Sequence, residues 1–101
     1  MFIKVIYANN LKSKELRNQH IGEIRKRTYH ARYKFPEAYK TDEEVKKLAC
    51  EIISKGKERN QTEILLTTTS ELLISAIEEQ KRIRAKDGEN IEINVVDLSV
   101  R

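Results

Sequence analysis

The densest chemistry in the chain lies in Arg25-Lys26-Arg27-Thr28-Tyr29-His30-Ala31-Arg32-Tyr33-Lys34-Phe35. Lys and Arg neutralise phosphates and release their counterions. An aromatic or guanidinium plane stacks on a base whatever its identity. Basic groups interleaved with aromatics therefore point to single-stranded RNA or DNA. The candidate contacts are Arg25, Lys26, Arg27, His30, Arg32 and Lys34 for phosphates, with Tyr29 or Tyr33 stacking if exposed. A strand over these residues qualifies the reading. Its alternation sends His30, Arg32 and Lys34 to one face and the tyrosines to the other. The same cations also serve to discourage strand-to-strand aggregation at a sheet edge.

A second set is Asn9-Asn10 with Thr67-Thr68-Thr69-Ser70. Both stretches follow expected strands, and ligands of open α/β sheets bind beyond strand carboxyl ends. Ser70 also opens a helix, whose free N–H groups favour an anion. A phosphate-bearing ligand held by a small enzyme or sensor is the alternative function. Ordinary capping by Ser70 explains the same residues. A third alternative is a protein-interaction module, or a homodimer, built on the 28–35 strand.

Other chemistry is thin. His20, His30 and Cys50 lie in different elements, and a zinc site needs three or four converging ligands. No metal or cofactor is expected, and no catalytic residue is assigned. His20, in line with Leu16 and Ile24, reads as a semi-buried histidine with a partner. The single cysteine excludes an internal disulfide.

The elements that must position these groups follow from periodicity. Phe2–Tyr7 reads as a strand, apolar on both sides except at Lys4. Residues 11–26 read as a helix interrupted in propensity by Gly22. Residues 28–35 alternate with period two and stop at Pro36. Thr41–Lys55 is a helix with a Thr41/Glu44 capping box and Gly56 as its expected left-handed terminator. Residues 63–68 are a short strand. Ser70 caps a helix with Leu72, Leu73, Ala76, Ile77 and Ile83 inward. Residues 91–100 are the last strand, with Val96, Leu98 and Val100 on one of its faces.

The order β-α-β-α-β-α-β over 101 residues predicts one small α/β domain spanning 1–101. About four strands in a mixed or mostly parallel sheet are flanked by three helices. The last two strands, apolar on both faces, are expected in the sheet interior. The 28–35 strand, with one wet face, is expected at an edge or antiparallel.

The charge is unevenly spread. Residues 1–40 hold 10 Lys/Arg and 3 acids, a local charge of +7, and all four tyrosines; the remainder is −3, for a net +4. Such asymmetry attracts polyanions at range. No apolar run approaches the roughly 18 residues of a membrane span. A cytoplasmic, soluble protein with a nucleic-acid partner is the resulting expectation.

Overall fold

The computed structural model describes residues 1–9, 14–34 and 41–99. The order is β1 (Phe2–Tyr7), α1 (Lys14–Lys26), β2 (Ala31–Lys34), α2 (Asp42–Glu58), β3 (Glu63–Thr68), α3 (Glu71–Ala85) and β4 (Glu92–Asp97). The four strands form one sheet in the order β2-β3-β1-β4, and every pairing is parallel. The expected α/β class and element order hold.

Two cores sit on opposite faces. Ile3 and Val5 of β1 and Ile64 and Leu66 of β3 pack against Val45, Ala49, Ile52 and Ile53 of α2 and Leu73, Ala76 and Ile77 of α3. The alternate residues, Ile6 and Leu65, meet Leu16 and Ile24 of α1 and Tyr29. Hence α1 lies alone on one face, and α2 and α3 share the other. The chain steps from β1 to β2 in one direction, then through β3 to β4 in the other. Opposite directions on opposite faces give all three crossovers one hand, as the right-handed rule for βαβ units requires.

Local sequence explains the helix starts. Thr41 Oγ1 accepts from the Glu44 N–H at 3.3 Å, and Ser70 Oγ accepts from the Leu73 N–H at 3.1 Å. Helix α1 runs unbroken through Gly22.

Several expectations are corrected. Strand β2 begins at Ala31, so Thr28, Tyr29 and His30 precede it. β2 lies at an edge, one of the two placements expected, and pairs parallel with β3. β4 is the opposite edge, not interior, and Val95 is 40% exposed. The reason is topological: Val95 is level with Val5 and shares the α2–α3 face with Ile93, but on the outermost strand it has a neighbouring strand on one side only. Leu72 and Ile83 do not point inward; they are 50% and 42% exposed. Leu73 and Ile77, four apart, take the buried face instead.

Gly56 does not end α2, which continues to Glu58; the left-handed residue is Asn60, at φ 55°. A Cβ at Gly56 would lie 2.9 Å from both Ile64 Cδ1 and Met1 Cε. That glycine serves a close approach of helix to sheet, not a turn. Phe35, Pro36 and Val100, placed in or beside strands by their spacing, lie outside the described residues.

Candidate functional site

The basic residues of the first part differ in how far the fold exposes them and in what they hold. On β2, Arg32 and Lys34 are exposed while Ala31 and Tyr33 are half-buried, as period two requires. Arg32 is level with Leu65 and Lys34 with Thr67, which puts both cations on the α1 side of the sheet. Helix α1 packs over β1, so the face of β2 beside it stays open. Arg25 and Lys26 are exposed in the last turn of α1, where cations also complement the helix dipole.

Arg27 and His30 are engaged. The Arg27 guanidinium pairs with Glu63 and lies 4.5 Å from the centre of the Phe2 ring and 5.7 Å from that of Tyr29. His30 is exposed, yet its Nδ1 accepts from the Thr62 N–H at 3.1 Å and lies 3.3 Å from the Glu63 nitrogen. Its own N–H donates to the Glu63 carbonyl at 2.8 Å. His30 thus ties the start of β2 to the start of β3, with Nε2 left over.

The tyrosines do not form a stacking platform. Tyr29 is buried beneath α1, and its hydroxyl donates to Glu23 Oε1 at 2.7 Å. Burial first, then that carboxylate, push the phenol's pKa well up. Tyr33 is half-buried and packs on the α2–α3 core. The expected stacking role therefore fails for Tyr29, whose ring is core.

His20 is buried on α1, and its Nδ1 lies 2.7 Å from Thr67 Oγ1. Its pKa is held below 6.5, by burial first and then by Lys34 and Arg32. That influence records how near the two β2 cations run to α1. It also sets a pH dependence. Between the ordinary histidine value and the lower folded one, the unfolded chain takes up a proton that the folded chain refuses. Stability is therefore full above about pH 6.5 and falls as pH drops through the folded pKa. Urea midpoints at about pH 7 and pH 5 should differ less in His20→Gln than in the parent. An equal pH dependence in both would show that His20 is not the source.

The second candidate set lies at a topological switch point. β1 and β3 are neighbours, but β1 leads to α1 on one face and β3 to α3 on the other. The crevice beyond their carboxyl ends is where open α/β sheets hold ligands. Its hydroxyls are largely committed. Thr67 bonds His20, Thr68 Oγ1 accepts from the Ser70 N–H at 3.0 Å, and Ser70 caps α3. Thr69 Oγ1 is buried without a partner. Asn9 is exposed, and Asn10 lies outside the described residues. Nearby, burial, then Glu71, and more weakly Asp97, raise the pKa of the buried Tyr7 phenol. Those two carboxylates oppose a phosphate there.

Sequence reading missed two features. Lys4, the one break in β1, donates to Asn94 Oδ1 on β4 at 2.8 Å. Arg84 donates to Ser54 Oγ at 2.8 Å and reaches Cys50 Sγ at 3.8 Å. Both join residues 30 or more positions apart, which no local pattern reports. The basic run from Lys81 to Lys86 belongs to the layer across the sheet from Arg32 and Lys34. Among the described residues, no three His, Cys, Asp or Glu side chains cluster as metal ligands. No described helix is long and apolar enough to cross a membrane.

A further regularity comes from parallel strands. Each helix runs back against them, so all three end at the same edge of the sheet. Each carries acid in its first turn (Glu15; Asp42, Glu43, Glu44; Glu71) and base in its last (Arg25, Lys26; Lys55, Lys57; Arg82, Arg84). No family model matches the chain, and no curated protein or solved structure matches it.

Proposed function

We propose that the protein binds single-stranded RNA or DNA, as a cytoplasmic phosphate tracker on the β2 side of the sheet. The observation that carries the reading is the pair Arg32 and Lys34. They stand exposed two residues apart on an edge strand, on the face α1 leaves open, and Arg25 and Lys26 continue from the end of α1. Two-residue spacing in a strand puts the two cations about 6.6 Å apart along it. Arg27 and His30 contribute through the frame that holds β2 to β3. With Tyr29 in the core, affinity rests on phosphate contacts, so it should be insensitive to base sequence and steeply dependent on salt.

The test is fluorescence anisotropy with a labelled single-stranded oligonucleotide across a salt series from about 50 to 200 mM. The expected result is binding whose affinity falls along a straight line in log[salt]. Absence of binding at the low-salt end overturns the proposal. Stabilisation instead by a nucleotide or sugar phosphate, with no oligonucleotide binding, would move the function to the β1–β3 crevice.

A further inference from the structure

Helices α2 and α3 each lead into a parallel strand, so they run side by side in the same direction. At 100° per residue, Leu72, Ala76 and Ile83 fall within about 60° of one another, forming a seam beside the buried stripe of α3. With Asp42, Val45 and Lys46 of α2, they line an open groove of about 510 Å³. Its two ends differ in charge. Leu72 sits beside Glu71 and shares the groove with Asp42. Ile83 sits beside Arg82, with Lys86 one turn further on. Glu79, midway, is paired with Arg82, and Lys46 and Lys86 also lower its pKa after that pairing. Leu72 and Ile83 are the most exposed large apolar residues on this layer.

That pattern is self-complementary. A two-fold axis across the middle of α3 sets Leu72 against Ile83 of a second copy, and Ile83 against its Leu72. The same rotation brings Asp42 and Glu71 to the basic end of the copy. A two-fold interface requires such reciprocity, since the same patch must serve both sides. The eleven steps from Leu72 to Ile83 span about 16 Å of helix. A stable interface of standard size takes about 800 Å² from each partner. That is a small fraction of the 6563 Å² surface of one copy.

From these observations we infer that the protein forms a homodimer through the α2–α3 groove, with the two α3 helices antiparallel. Leu72 and Ile83 supply the apolar contacts, and Asp42 pairs with Lys86 of the other copy. The inference is independent of the nucleic-acid reading. It leaves Arg32 and Lys34 on the outer layer of each copy.

The test is sedimentation equilibrium on the full chain at about 100 µM, which detects any dimer with a Kd tighter than that. The expected result is twice the 11.8 kDa chain mass. Leu72→Asp and Ile83→Asp should each return a folded monomer, because both positions face water in a single copy, and the melting temperature should fall only by the stabilisation that association supplied. Asp42→Lys and Lys86→Glu should each weaken the dimer at least tenfold, and the double variant Asp42→Lys/Lys86→Glu should restore it. A monomeric parent overturns the inference. So does a dimer that persists in Leu72→Asp and Ile83→Asp, or a charge-swapped double variant no tighter than either single one.

Discussion

Leu66→Ala should lower the unfolding free energy by about 2–5 kcal/mol. Leu66 is fully buried on β3, an interior strand. It is level with Tyr33 on one neighbour and Val5 on the other, and it belongs to the core beneath α2 and α3. Three sides of the site are therefore backbone-paired strands and packed helices, which collapse poorly into a void. A domain of this size has about 5–15 kcal/mol in total. The melting temperature should fall by roughly 4–8 °C per kcal/mol lost. Val95→Ala on the β4 edge is the control: it removes a comparable group from a half-open site and should cost under about 1 kcal/mol. Urea unfolding at constant m-value measures both. Equal losses at the two positions would contradict the assignment of β3 as interior and β4 as edge.

Arg32→Glu/Lys34→Glu should abolish most oligonucleotide binding. If each cation meets one phosphate, the slope of log K against log[salt] should shrink by about 0.7 per lost contact on a single strand. Reversal adds repulsion to that loss, so at low salt the affinity should fall by more than about tenfold, or 1.4 kcal/mol. Both side chains are exposed, and the melting temperature should barely move. The matched control is Lys47→Glu/Lys81→Glu, which changes net charge equally on the α2–α3 side. It should leave the slope unchanged. An equal loss in both variants would mean that affinity follows net charge and that β2 is not the interface.

The outline of the fold was legible because its signals are local. Period two in Ala31–Lys34 and the stripe Val45, Ala49, Ile52, Ile53 each occupy one element. The capping hydroxyls of Thr41 and Ser70 act within three residues. What was not legible depends on neighbours. Val95 and Val96 read as interior, but burial of a strand is decided by its place in the sheet. Leu72 and Leu73 are adjacent and equally apolar, and only the docking of α3 separates a core residue from an exposed one. Gly56 resembles a terminator because its need for close approach to Ile64 is invisible along the chain.

The candidate site divides in the same way. Arg32 and Lys34 followed from alternation, and their exposure matched it. Tyr29 continued that alternation in sequence, yet it precedes the strand and its hydroxyl is committed to Glu23. Arg27 reads along the chain as a phosphate contact like its neighbours, but it pairs with Glu63, 36 residues away. His20 behaved as its stripe implied, a buried histidine with one partner.

The shared direction of the three helices has a consequence at long range. Their acidic starts and basic ends sort whole charges along a single axis. Those charges outweigh the opposing backbone dipole of about half a charge per helix end. The first and last turns of the three helices therefore carry opposite charge along the strand direction, although Lys57, Arg82 and Arg84 are held by Glu89 and Glu79. In the field of an extended polyanion such a separation of charge adds a torque to the attraction, drawing the ends of the helices forward.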